Sequence, residues 1–199
     1  MLGLFLQERN IDMTKKIKLY SLAPQSYPNI EIECEVIENT VAKLEEITTG
    51  IPFVAVKTAV VQARKAQLGD IVDTRPRTRV DGHVYTFSET KQAISQEKVD
   101  QGAIIVTNPD GEEYVIKSEE KFMSKYKKVE GGFAAIDGSK KFAKSSKNCT
   151  IKTSWGEEQI VPEGSYLCVS DKDDIYSVTN EAFEKTYSVV NRSKYFTNS

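Results

Sequence analysis

The sequence contains little of what most catalytic and metal-binding sites require. It has one histidine, one tryptophan and three cysteines in 199 residues. Cys34, Cys149 and Cys168 are widely spaced and form no Cys-x-x-Cys pair, so we predict neither a disulfide framework nor a zinc site. Gly131-Gly132 lacks the spacing and the lysine of a phosphate-binding loop. We therefore expect no metal and no cofactor.

Long apolar runs and a strong net charge are missing as well. No stretch approaches the roughly 20 apolar residues of a membrane-spanning helix, and unpaired cysteines are typical of a reducing compartment, so we expect a cytoplasmic protein without membrane contact. The net charge of −2 provides no general attraction to nucleic acid. A content of 39% hydrophobic and 28% charged residues is typical of a globular protein.

What the sequence does contain is one order of segments that occurs twice. Each copy has a glycine followed by an apolar strand, a turn, a strand with a tyrosine, and a short amphipathic segment with Phe and Tyr four residues apart. The segments are residues 102–106, 113–116 and 120–129 in one copy and 164–169, 175–178 and 181–190 in the other. Because a helix this short is not stable alone, we expect each to pack on its hairpin or sheet.

These patterns predict an α+β fold made of two repeated, mainly antiparallel β units with short helices. Residues 52–129 and 130–190 are predicted to form the two units, and residues 191–199 a polar tail. Residues 1–51 are predicted to be a strand-strand-helix segment, in which Asn39 or Thr40 caps a helix that Gly50 ends. Met1 and Met13 are both plausible translation starts.

The second copy resembles a known family. From Ile151 onward a Trp-Gly turn is followed by Pro162-Glu163-Gly164-Ser165-Tyr166 and by a closing Phe-Glu-x-x-Tyr segment that ends at Tyr187. This order, with residues 99–129 as a looser and more diverged copy, resembles uncharacterised bacterial and phage proteins with a Pro-Gly-Asp-Tyr motif. The resemblance implies the hairpin-helix fold but no functional residues, because an extra glutamate follows Pro162 and Ser165 replaces the motif's aspartate.

Three arginines alternate along one predicted strand. Arg75, Arg77 and Arg79 would project from one face at intervals of roughly 6.5–7 Å, which suits successive phosphates bound by arginine forks. The Asp81-Gly82 turn would place His83, a weak candidate for an acid or base, across the hairpin. The alternative interpretation is an edge strand that charge protects from pairing with other chains.

Two further surface candidates follow. Lys140, Lys141 and Lys144 are predicted to lie in a lysine- and serine-rich loop at 139–147 that is either a solvated loop or an anion-binding cluster. Trp155 is predicted to lie at a hairpin tip, where it either packs back on the sheet or contacts a partner.

No catalytic constellation appears in these patterns, so the leading hypothesis is a non-enzymatic binding or accessory protein, phage-derived or an effector. Its partner would be a protein or a phosphorylated ligand. One alternative is an enzyme for phosphorylated or nucleotide substrates that uses the arginine strand and His83. The other is an RNA-binding protein that uses the same arginines and the lysine cluster.

Overall fold

The computed structural model describes residues 13–190, which form a mostly β structure with short helices. The strands, in chain order, are β1 Thr14–Ser21, β2 Ile30–Ile37, β3 Thr48–Lys57, β4 Val60–Lys65, β5 Ile71–Val72, β6 Arg77–Val80, β7 His83–Thr86, β8 Gln92–Ala93, β9 Ile104–Thr107, β10 Glu113–Ile116, β11 Tyr126–Val129, β12 Gly132–Ala135, β13 Ser139–Ser145, β14 Cys149–Lys152, β15 Glu158–Val161, β16 Tyr166–Cys168, β17 Tyr176–Val178 and β18 Tyr187–Val189. The helices are α1 Thr40–Ile47, α2 Gln96–Asp100, α3 Glu119–Lys125 and α4 Asn180–Thr186.

These elements confirm the predicted α+β class with mainly antiparallel sheets. Within the described residues, no helix is long and apolar enough to cross a membrane.

The strands form three large sheets and one small one. A six-stranded sheet has the order β15-β14-β2-β1-β7-β6, and its one parallel pair joins β14 to β2. A second sheet has the order β10-β9-β4-β12-β11, and a third has the order β17-β16-β13-β3-β18. Strands β5 and β8 pair separately.

Strands β3 and β12 lie at the points where the chain passes between the second and the third sheet. Strand β3 lies between β13 and β18, while β12 lies between β4 and β11. Because β3 precedes β4 directly and β12 precedes β13, each of these connections leaves one sheet and enters the other. The second and third sheets are therefore linked through these two crossings.

Several hairpins follow from local turn chemistry. Asp81 and Gly82 have φ of 49° and 78° at the β6–β7 turn, the left-handed values that a type I′ turn needs, and Val80 pairs with His83 as predicted. The hairpin β9–β10 forms around Asn108-Pro109-Asp110-Gly111 as predicted. Ser118 caps α3 and Asn39 caps α1.

Other boundaries differ from the sequence-based expectation. Helix α1 ends at Ile47 rather than at Gly50, because the chain continues directly into β3. The polar stretch before the first repeated segment contains β8 at Gln92–Ala93 and α2, which begins at Gln96 behind the cap Ser95. Thr179 caps α4.

The third sheet encloses an aromatic core. Phe142 is fully buried and packs edge-on against Phe183 at 5.0 Å and Tyr187 at 4.9 Å between ring centroids. Tyr166 stacks on Phe183 at 3.8 Å. Phe122 and Tyr126 stack at 5.1 Å beside the second sheet, although Tyr126 belongs to β11 and not to the helix. These aromatic pairs fix α3 and α4 on their sheets.

Candidate functional site

The first two arginines of the predicted anion strand are bound internally. Arg75 donates through Nε to Asp73 Oδ1 at 2.6 Å, and Arg77 donates through Nη2 to Asp73 Oδ2 at 3.0 Å. The side chains of Arg75 and Arg77 are only 15% and 12% exposed. Hydrogen bonds from Arg75 lower the pKa of the Asp73 carboxyl to about 2. An incoming phosphate would have to displace Asp73 from this ion pair.

Arg79 joins the edge of the six-stranded sheet to α4. Its guanidinium pairs with Glu181 at 3.3 Å and also with Glu184. The amide of Asn180 accepts from Arg79 N at 2.9 Å and donates to Arg79 O at 2.9 Å, as a neighbouring strand would. The edge of β6 is thus covered by α4, which keeps Arg79 in one orientation.

The lysine cluster is not a loop, and this part of the prediction is wrong. Residues Ser139–Ser145 form β13, which pairs with β3 on one side and β16 on the other. The fully buried Phe142 anchors this strand among the aromatic rings, Lys141 and Lys144 are exposed, and Lys140 is half-buried. Lys144 Nζ lies 6.0 Å from the ring centroid of Tyr166, whereas Lys140 Nζ donates to Tyr176 Oη at 2.6 Å.

A cleft of about 690 Å³ brings together three features that the sequence singled out separately. We call it the charged cleft. Its lining includes Arg79 from the arginine strand, Lys144 from the lysine cluster and the Pro162-Glu163-Gly164 turn. The lining also includes the carboxylate of Asp81 and the apolar side chains of Val80 and Ile32. Cations, carboxylates and apolar groups therefore share one surface.

The turn at one side of the charged cleft is held by backbone hydrogen bonds. Gly164 has φ of 82°, a conformation that favours glycine, and its N–H donates to Ser145 O at 3.1 Å. Glu163 N donates to Asn148 Oδ1 at 2.8 Å. Ser165 is fully buried, and its Oγ has no partner among the described residues. The surface of this turn is consequently presented by Glu163 and Gly164, while Pro162 is buried beneath them.

The remaining candidates lie elsewhere. His83 is exposed and stacks on Tyr27 with 4.3 Å between ring centroids, and it does not line the charged cleft. Trp155 is 53% exposed at the β14–β15 turn, where its Nε1 donates to Glu157 at 2.8 Å. The structure therefore brings Arg79 and Lys144 together but adds neither His83 nor Trp155 to them.

A cluster of buried charges was missed by sequence reasoning. Burial and the neighbouring Asp110 raise the pKa of Glu112 to about 7, although Arg77 opposes this shift. Asp110 Oδ2 and Arg77 Nη1 are buried without hydrogen-bond partners in the described chain. Gly111 brings the β9–β10 turn against Arg77, since an added Cβ would lie 3.5 Å from its Cζ. The acidic residues flanking Gly111 were visible in sequence, but their burial depends on distant contacts.

Between residues 13 and 190, no group of three or more His, Cys, Asp or Glu side chains is arranged to hold a metal ion. All three cysteines are free and buried. Burial is the largest influence on two of them and raises the pKa of the Cys34 thiol to about 11 and that of the Cys149 thiol to about 12. These thiols lack the lowered pKa and the exposure of a reactive cysteine.

Comparison with known proteins gives no assignment: no family model, curated protein or solved structure matches the chain.

Proposed function

We propose that the protein is a non-enzymatic binding or accessory protein that holds a protein segment in the charged cleft. The observation that supports this proposal is the convergence of Arg79, Lys144 and the Pro162-Glu163-Gly164 turn on one open surface. These groups are far apart in sequence and are brought together by β6, β13 and the β15–β16 connection. A surface assembled from three rigid elements is suited to specific recognition.

The charge balance favours a polypeptide over a nucleic acid. Arg79 and Lys144 face the same cleft as Asp81 and Glu163. A phosphate backbone would meet both carboxylates, whereas a segment with side chains of both signs would find complementary partners. The half-buried Val80 and Ile32 offer apolar contact between the charges.

The two cations differ in what a ligand must do to reach them. Arg79 is already held in one orientation by Glu181 and Glu184. A ligand would therefore meet its guanidinium group in a fixed position. Lys144 is exposed and belongs to no ion pair within residues 13–190. It can therefore form a new charge-assisted hydrogen bond without breaking an existing one.

The two alternative functions depend on groups that the fold uses internally. An enzyme for phosphorylated substrates would use Arg75 and Arg77, which are bound to Asp73, together with His83, which lies outside the charged cleft. RNA binding would use the same arginines together with Lys140, which donates to Tyr176, and with Lys141 and Lys144. For this reason we place the protein-binding function first.

We also propose that the scaffold arose by duplication. In the order β10-β9-β4-β12-β11 and the order β17-β16-β13-β3-β18, a hairpin occupies one edge and the strand after a short helix occupies the other. Both helices carry a Phe that stacks on the Tyr opening the next strand, at 5.1 Å for α3 and 5.4 Å for α4. Kinship with the Pro-Gly-Asp-Tyr proteins, a phage or effector origin and a cytoplasmic location are part of the same proposal, supported by the motif order and by the free cysteines.

The test is a titration followed through backbone amide shifts. We expect short peptides of mixed charge to shift the amides of Val80, Ser146 and Gly164 in a saturable way. Lys144→Glu should weaken that binding about tenfold, the effect of losing one charge-assisted contact. Lys141→Glu is the matched control, because Lys141 is exposed on the same strand but does not line the charged cleft.

Two results would count against the proposal. Peptides that leave these amides unmoved while an RNA oligomer or a nucleotide shifts them would favour the RNA-binding or the enzymatic alternative. Turnover of a phosphorylated substrate that disappears in His83→Ala would make the protein an enzyme.

A further inference from the structure

A second depression lies where the second and third sheets meet. Its volume is about 370 Å³, near the lower end of the range for small-molecule sites of roughly 300–1,000 Å³. We call it the lysine pocket. Its lining includes Lys57, Lys125, Tyr126, Asp137, Lys140 and Tyr187. These residues come from β3, β11, β13, β18, the end of α3 and the turn before β13.

The lysine pocket has an excess of positive charge. Three lysines line the pocket, and Asp137 is the one lining residue that carries a carboxylate. Lys57, Lys125 and Lys140 form no ion pair in the described part of the chain, whereas Arg75, Arg77 and Arg79 all do. The protein as a whole has a net charge of −2. Lys57 also interacts electrostatically with Glu112, which does not line the pocket. Because three lysines outnumber the one lining carboxylate, the depression favours binding of an anion.

Lys57 is oriented by its neighbours rather than free in solvent. Its Nζ donates to Tyr126 Oη at 3.0 Å, and Tyr126 Oη is hydrogen-bonded to Tyr114 Oη. The same Nζ lies 5.8 Å from the Tyr114 ring centroid and 5.4 Å from that of Tyr126. A lysine ammonium has three donors, and Tyr126 is the one hydrogen-bond partner found for it among residues 13–190. Two donors are left for a ligand.

The backbone around Lys57 forms the wall of the pocket. Lys57 N donates to Gly138 O at 2.9 Å. A Cβ on Gly138 would lie 2.8 Å from Lys57 Cβ, so the turn reaches β3 only because residue 138 has no side chain. This approach holds Asp137, Gly138 and Lys57 together and fixes the width of the pocket.

Tyr187 adds a neutral donor. Burial is the largest influence on its hydroxyl and raises its pKa to about 12, so the hydroxyl stays protonated near neutral pH. The rings of the pocket are not available for stacking on a nucleobase, since Tyr126 is 6% exposed and Tyr187 is packed on Phe142 and Phe183. The pocket thus offers N–H and O–H donors but no aromatic platform of the kind that holds single-stranded nucleic acid.

We propose that the lysine pocket binds the phosphate group of a small phosphomonoester, through Lys57, Lys125 and Lys140. This site is separate from the charged cleft and does not depend on the function proposed for it. A phosphate on a small metabolite and a phosphate on a serine side chain share the chemistry that the pocket recognises. The pocket volume of about 370 Å³ lies in the range of small-molecule sites, and we assign the pocket to the small molecule.

The experiment is a calorimetric titration of the full chain with inorganic phosphate, a sugar phosphate and a phosphoserine tripeptide at low salt. We expect saturable binding of phosphate and of the sugar phosphate. Lys57→Met keeps the length of the side chain over the tyrosine rings and should weaken binding about tenfold or more, the effect of one lost charge-assisted contact. Lys125→Met, at the exposed end of α3, should weaken it as well.

Lys127→Met is the matched control, because it removes the same charge from exposed β11 without altering the lining. The proposal is overturned if phosphate does not bind saturably, or if Lys57→Met and Lys125→Met, both with native circular dichroism, bind phosphate as tightly as Lys127→Met. Tighter binding of the phosphoserine tripeptide than of the sugar phosphate would overturn the assignment to small phosphomonoesters. Lys144→Glu should leave phosphate binding unchanged, which separates this site from the charged cleft.

Discussion

Replacing Asn180 by alanine should release the edge of the six-stranded sheet from α4. The side-chain amide of Asn180 satisfies both the N–H and the C=O of Arg79, each at 2.9 Å. A hydrogen bond contributes a net of about 1 kcal/mol on average, so the loss of these two bonds should lower the free energy of unfolding by about 2 kcal/mol. Asn180 Oδ1 also accepts from Thr78 Oγ1 at 3.4 Å and from Glu181 N at 2.7 Å, and losing these bonds acts in the same direction. For a chain of 150–250 residues, this corresponds to a fall in Tm of roughly 4–8 °C.

The measurement is thermal unfolding followed by circular dichroism, with two comparison variants. Asn180→Asp keeps an acceptor for Arg79 N but loses the donor to Arg79 O, so we expect about half the loss, about 1 kcal/mol. Asn29→Ala removes a single bond, to Ser21 N at 2.9 Å on the exposed surface, and should cost less than about 1 kcal/mol because water replaces the partner.

The reasoning would be refuted if Asn180→Ala unfolded within about 1 °C of the wild type, or if it were no less stable than Asn29→Ala. Either result would mean that water satisfies the edge of β6 as well as the amide does. The ion pairs of Arg79 with Glu181 and Glu184 would then be the main connection between the sheet and α4.

Three further predictions concern stability and reactivity. Gly132→Ala should lower the free energy of unfolding by about 2–4 kcal/mol in denaturant unfolding, because φ is 152° and a Cβ would lie 2.4 Å from Val61 O. Gly131→Ala has open space around its Cβ and should lower it by about 1 kcal/mol. The folded state raises the pKa of Glu112 from 4.5 to about 7, so it binds this proton more tightly than the unfolded chain does. The resulting stabilisation is complete below pH 4.5 and disappears as the pH rises through about 7; Glu112→Gln should remove this pH dependence, on the order of 1–3 kcal/mol. No cysteine should react with a thiol reagent in the native protein, and all three should react after unfolding.

Features set by local chemistry were predictable from the sequence. The β6–β7 and β9–β10 turns follow from Asp81-Gly82 and Asn108-Pro109-Asp110-Gly111, whose geometry depends on adjacent residues alone. The cap of α3 by Ser118 is local for the same reason. Such signals require no knowledge of what packs against the segment.

Features set by distant contacts were not predictable. Residues 139–147 read as a polar loop because they contain four lysines and few apolar residues, yet β13 forms because β3 and β16 supply partners on both sides. Likewise, the alternation of Arg75, Arg77 and Arg79 was visible in the sequence, but the position of Glu181 and Glu184 beside Arg79 depends on packing of α4. Sequence reasoning located the cations and could not identify their partners.

The same dependence on distant partners applies to Lys57. In the sequence it ends an apolar, β-branched run and has no feature that marks a ligand site. Its environment is created by Tyr126 and Tyr114, which are 69 and 57 residues further along the chain. A lone lysine at the end of such a strand is the only local signal available.

The positions of β3 and β12 have a consequence for the order in which the chain can fold during synthesis. When residue 129 leaves the ribosome, β4 still lacks β12 and β3 still lacks β13. Neither five-stranded sheet can be completed from the first 129 residues. A nascent chain of that length therefore carries one open edge on β4 and two on β3, since β18 is missing as well, and these edges are able to pair with another chain. A cut in the Gly131-Gly132 turn would separate two stretches of sequence, and each product would retain a strand that belongs to the other's sheet.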